Sequence, residues 1–144
     1  MYKFFYLMIL GCIMVSCSND KKPTNNPEKK ITIKMVTHGQ ATDPFWSVVS
    51  NGAKDAAEDL GIAFHYQSPQ SFDMVTMSQM IDAVVATEPD GLILSVPDIP
   101  ALRKSIVSAS KKNIPIIIIN SGSQIMEEID ILTYVGQSEY EAGI

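Results

Sequence analysis

"IPIIIIN", Ile114 to Asn120, decides the architecture. Four consecutive isoleucines leave this segment no polar side, so both of its faces are expected to be covered. β-branched residues favour extended backbone, and a strand apolar on both faces belongs inside a parallel sheet with helices on either side.

Outward from this strand, helical and extended patterns alternate. On its N-terminal side, "GLILS" (Gly91 to Ser95) reads as a short apolar strand. Between the two lies a helix of about a dozen residues, with Leu102, Ile106 and Ala109 on one face. Further back, "ITIKMVT" (Ile31 to Thr37) and "IAFHYQ" (Ile62 to Gln67) are strands. A helix starting near Pro44 puts Phe45, Val49, Gly52, Ala53, Ala56 and Leu60 along one face, and Gly61 ends it at the expected capping position. "DMVTMSQMIDAVVA" (Asp73 to Ala86) is a helix with Met74, Met77, Ile81 and either Val84 or Val85 inward. Toward the C-terminus, "LTYVG" (Leu132 to Gly136) is a fifth strand, and "SEYE" (Ser138 to Glu141) matches a capping box that opens one more helix. The sequence stops three residues later, which is expected of a fragment.

This alternation predicts an α/β fold: a doubly wound parallel sheet in strand order 2-1-3-4-5. Ligands of such sheets sit beyond the carboxyl ends of the strands, near the point where strand order reverses. The loops after strands one, three, four and five are therefore the candidate functional positions.

Residues 1–17, "MYKFFYLMILGCIMVSC", combine Lys3, an apolar run from Phe4 to Val15 and a terminal cysteine. The run is too short to span a bilayer and reads as a signal-peptide core. "MVSC" resembles a bacterial lipobox, making Cys17 the expected lipidated residue. Cys12 is the alternative, and a plain secretory signal is the other reading. On each of these the protein leaves the cytoplasm. Residues 18–30, "SNDKKPTNNPEKK", have no large apolar side chain and form a flexible tether. Residues 31–144 form the folded body. Both cysteines lie in the leader, so the body has no disulfide framework.

The chain has eleven basic and sixteen acidic residues; five lysines and two acids fall in the first thirty, leaving the body six and fourteen. A body with a net charge of −8 repels phosphate backbones, which argues against nucleic acid as a partner.

At the first loop, "HGQATDPFW", Asp43 suits an N-cap and Pro44 a first helical residue. Phe45 belongs to the apolar stripe, and Trp46 lies about a hundred degrees further round. One ring then anchors the core while the other projects into the cleft, unless both merely pack. Aromatic faces suit the C–H faces of sugars. Asp98, in "SVPDIPA", is either the N-cap of the third helix or a ligand contact. Asn120 and Ser121, in "NSGS", and Gln137 after strand five bring neutral donors and acceptors; alternatively they satisfy loop backbone. His38 lies near the same rim, and His65 lies inside a strand in a structural role. Neither histidine has neighbours at metal spacing, so no metal is expected. No phosphate loop, nucleophile elbow or H-E-x-x-H helix occurs, so no catalytic residue and no cofactor are assigned.

"TDPFW", "NGAKDAAEDLG", "PDGLILS", "NIPIIIINSG" and "YVGQSEYEAG", in this order and spacing, resemble the type I periplasmic sugar-binding proteins of ABC importers, the ribose-binding group. The likeness covers almost all of 31–144. It implies one lobe, the N-terminal one, of a hinged two-lobed receptor that closes over a sugar or polyol. The implied partner is an ABC permease, and the implied location is the periplasm or cell surface, with the membrane reached only through the lipid anchor. By position, Asp43 takes the place of a hydrogen-bonding asparagine, and Phe45 and Trp46 take the places of stacking rings. The ribose binders' Asp-Arg pair falls on Asn120 and Ser121, a departure that argues against ribose and for another polyol or a modified sugar. The same fold also serves sensors read by a chemoreceptor or a histidine kinase, which is the alternative reading. A lactose-repressor relative would need a helix-turn-helix where this chain has a leader. A response-regulator receiver would need acids and a lysine where it reads "THG" and "GQS".

Overall fold

The computed structural model describes residues 29–40, 42–138 and 142–143. The leader with Cys12 and Cys17, the tether up to residue 28, and residues 139–141 of the capping box lie outside the described residues. In chain order the elements are β1 (Thr32–Val36), α1 (Pro44–Asp59), β2 (Ala63–Gln67), α2 (Met74–Ala86), β3 (Gly91–Leu94), α3 (Ile99–Lys111), β4 (Ile116–Ile119), a 3-10 turn (Ser123–Glu127) and β5 (Thr133–Val135). The strands form one sheet in the order β2-β1-β3-β4-β5, and every neighbouring pair is parallel. Strand order reverses at β1, as the alternating pattern predicts. No described helix is long and apolar enough to cross a membrane.

Three aspartates start the three helices. Asp43 Oδ1 accepts from the Phe45 amide at 2.8 Å, Asp73 Oδ1 from Val75 at 2.9 Å and Thr76 at 3.2 Å, and Asp98 Oδ1 from Ala101 at 3.0 Å. Each cap satisfies amides that the helix itself cannot, a contribution of about 1 kcal/mol. Because every helix follows a strand, all three caps lie toward the carboxyl edge of the sheet.

The core is sealed on one face. Met77, Ile81, Val84 and Val85 of α2 and Leu102, Ile106 and Ala109 of α3 pack over Val36, Leu92, Leu94, Ile116 and Ile118. Val84 and Val85 both turn inward. The Ser78 and Ser105 hydroxyls meet at 2.9 Å between the two helices. On the opposite face α1 stands over Ile33, Ile93 and Ile117, beside an apolar groove walled by Ala56, Leu60 and Leu132. The two-sided burial expected for the isoleucine run is therefore complete at Ile116 and Ile118 and partial at Ile117 and Ile119.

The structure corrects the expected face of α1. Its buried row is Trp46, Ser50 and Ala57, while Phe45 and Leu60 are exposed. The row has turned by about one residue, roughly a hundred degrees. The buried row is apolar except for Ser50 and lies beside the more apolar row that periodicity picked out. The choice falls to Trp46 because the indole lies on Gly39, where there is no side chain to displace it. His65 also differs from its expected structural role: it is exposed on β2, at the edge of the sheet.

Candidate functional site

Two hollows open at the carboxyl edge of the sheet, and they share Asn120 and Gly136. The first, about 380 Å³, is lined by Phe45, Trp46 and Val49 of α1 and by Ile119, Asn120, Val135, Gly136 and Gln137 at the ends of β4 and β5. The second, about 800 Å³, lies on the α3 side and takes in Asp98, Asn120, Ser121 and Tyr134. Among the described residues, no lysine or arginine lines either one, and Asp98 is the one acidic lining residue.

The β4 exit is bent sharply. Asn120 has φ 63°, the Ser121 amide donates to the Ile119 carbonyl at 2.7 Å, and Gly122 follows at φ 97°. Asparagine tolerates this left-handed conformation better than most residues. Backbone bonds hold the corner: the Asn120 amide donates to Val135 at 3.0 Å, and the Val96 amide to Ser121 at 2.9 Å. Tyr134 Oη donates to the Asn120 carbonyl at 2.7 Å, with the Gln137 carbonyl a second acceptor at 3.2 Å. The Asn120 backbone is thus fully engaged, while its carboxamide bonds to none of the described residues. Ser121 Oγ is buried with no partner, the one such side-chain atom among the described residues.

At the β1 end, rings form a row. Phe45 meets Trp46 with centroids 5.0 Å apart, Trp46 meets His38 at 5.2 Å, and His38 meets Phe72 at 5.8 Å, each pair edge to face. Such arrangements match positive ring edges to negative faces. The two ends of the row, Phe45 and Phe72, are exposed, while Trp46 is 5% exposed. The expected roles of the first two rings are therefore exchanged: Trp46 anchors and Phe45 projects.

Of the residues singled out by sequence, Phe45, Trp46, Asn120 and Gln137 come together around the first hollow, and Asp98, Asn120 and Ser121 around the second. His38 abuts Trp46 and lines neither. Asp43 is exposed and engaged as the α1 cap. Ser95, Phe72 and Tyr134 were missed. A serine closing an apolar strand is the one signal that marked Ser95; the other two carried none. Among the described residues, no group of three or more His, Cys, Asp or Glu could hold a metal.

Burial lowers the His38 pKa from its ordinary value of 6.5. The imidazole is therefore expected to titrate below 6.5 in an NMR pH series; a midpoint at or above 6.5 would contradict its half-buried setting. Because the unfolded chain binds this proton more readily, the His38 contribution to stability is whole above about pH 6.5 and declines as pH falls toward the folded pKa.

A family model described as a periplasmic binding protein domain matches residues 33–144. Among solved structures, a carbohydrate transporter from Acidothermus cellulolyticus 11B in complex with myo-inositol is 34% identical, with a TM-score of 0.73 over 79% of this chain and 39% of that one. An ABC sugar transporter (periplasmic sugar binding protein) from Legionella pneumophila is 30% identical, with a TM-score of 0.74 over 79% and 42%. XylFII in the XylFII-LytSN complex is 27% identical, with a TM-score of 0.72 over 81% and 41%. The chain thus spans about two fifths of the length of these proteins. No curated protein sequence matches it. With a sheet ordered 2-1-3-4-5, polar and aromatic residues gathered at its carboxyl edge, and a family match over most of its length, the chain belongs to the periplasmic binding protein domain family.

Proposed function

We propose that this chain carries one half of the cleft of an extracytoplasmic receptor for an uncharged sugar or polyol. The observation that carries the reading is the first hollow, where Phe45 and Trp46 face Asn120 and Gln137. Rings offer apolar surface to C–H faces, and the two carboxamides offer donors and acceptors to hydroxyls. The described lining residues of both hollows include no cationic side chain, which favours a ligand without phosphate or carboxylate. The relative bound to myo-inositol supports a polyol.

In this reading Phe45 and Trp46 form the stacking wall. Asn120, Gln137, Ser121 and His38 supply hydrogen bonds. The carboxylate oxygens of Asp43 and Asp98 that do not cap helices accept ligand hydroxyls. Ligand bridging this rim to a second lobe stabilises a closed state relative to an open one. The closed receptor, lipid-anchored through Cys17, delivers its ligand to an ABC permease. Membership in the family supports a binding role over catalysis. The XylFII-LytSN complex gives a specific ground for the second reading, a ligand sensor read by a partner protein.

Calorimetric titration of the protein against a panel of sugars and polyols, myo-inositol included, tests the proposal. Trp46→Ala is expected to weaken binding about tenfold or more, the loss of about 1.4 kcal/mol. Unchanged affinity would remove Trp46 from the site, and silence across the panel would count against the sugar reading.

A further inference from the structure

Ser95 follows β3 and is fully buried, with its hydroxyl against His38 of the β1–α1 loop. Its Oγ lies 2.9 Å from the His38 backbone nitrogen and 2.8 Å from His38 Nδ1. The backbone N–H can only donate, so it occupies one lone pair of Oγ. The Ser95 O–H then needs an acceptor, and Nδ1 is the one acceptor in reach among the described residues. Were Nδ1 to carry the ring proton, Oγ would face two donors and the serine proton would be left buried with no partner. A buried donor without a partner is costly enough to bias the tautomers by about tenfold or more.

We infer that Ser95 is a positioning residue that locks His38 as the neutral Nε2–H tautomer and so fixes one N–H donor against Trp46, at the margin of the first hollow. The ring cannot swing freely: Trp46 and Phe72 each meet it edge to face, at 5.2 and 5.8 Å. Nε2 bonds to none of the described residues. What it offers is one fixed donor beside the exposed Phe72 ring, suited to a hydroxyl, ether or carbonyl oxygen. A hydroxyl contacts many groups equally well as donor or acceptor. A histidine fixed in one tautomer discriminates, because a ligand placing only a donor at that point finds no acceptor.

The role in ligand binding rests on the sugar or polyol reading; the tautomer does not, and the test separates them. Long-range nitrogen–proton NMR of the ¹⁵N-labelled protein, at a pH where His38 is neutral, reports which ring nitrogen carries the proton. Nε2–H alone in the wild type and in Ser95→Thr, with the ring-nitrogen shifts of Ser95→Ala moved toward those of a mixture of the two tautomers, is the expected result. An Nδ1–H signal in the wild type, or ring-nitrogen shifts in Ser95→Ala identical to those of the wild type, would overturn the lock. For the second arm, myo-inositol is titrated into the same three proteins. Affinity should fall about fivefold or more in Ser95→Ala and be restored by Ser95→Thr. Equal affinity in wild type and Ser95→Ala would overturn the positioning role. If the wild type does not bind myo-inositol, the polyol reading fails for that probe, and the NMR result alone decides on the lock.

Discussion

Gly122→Ala is expected to lower folding stability by about 3 kcal/mol or more, the combined cost of a left-handed non-glycine residue and an overpacked contact. Gly122 sits at φ 97°, and a Cβ there would come within 2.5 Å of both the carbonyl oxygen and the Cβ of Val96. Neither can yield. Val96 is buried in the core, and its amide is bonded to the Ser121 carbonyl at 2.9 Å, so relieving the clash would pull β3 and β4 apart at their ends. The same corner aims Asn120, so ligand binding should fall with stability. Urea denaturation followed by circular dichroism reads the effect directly. A midpoint equal to that of the wild type would mean the corner is looser than its bonds indicate.

Gly39→Ala should displace the indole. A methyl group on Gly39 would overlap Nε1 and Cδ1 of Trp46, and the flanking rings of His38 and Phe45 leave the indole no second buried position. Trp46 is the only tryptophan in the sequence, so its fluorescence is an unambiguous reporter. The variant should show emission shifted to the red, with quenching by acrylamide increased. Trp46 lines the first hollow, so moving the indole reshapes it, and affinity for any sugar or polyol should drop about tenfold. The wild-type emission maximum in the variant would refute the stacking of indole on glycine. Gly122→Ala disturbs backbone and Gly39→Ala a side chain, so the first should be read in the denaturation midpoint and the second chiefly in fluorescence and binding.

Much of the fold was legible because its signals are local. The strand and helix order followed from two periodicities. The helix starts followed from Asp43, Asp73 and Asp98, whose carboxylates bond amides only two or three residues away. The isoleucine run implied a parallel sheet, and parallel sheets place their loops, and so the candidate site, at the carboxyl edge. Phe45, Trp46, Asn120 and Gln137 all fall at that edge by their place in the chain, and they share one hollow.

What depended on distant neighbours was not legible. Phe45 and Trp46 are equally suited to burial by composition. Gly39, on another segment, decides between them by having no side chain, and so reverses the expected roles of the two rings. Ser95 and His38 are 57 positions apart, and nothing in either residue's surroundings announces the other. Tyr134 reads as an ordinary strand aromatic until its hydroxyl is seen clamping the Asn120 carbonyl. Periodicity and capping act over a few residues of chain and are therefore written in it. Steric choice between two neighbouring rows of one helix, and the pairing of buried hydrogen-bonding groups, arise only when separate strands are laid side by side.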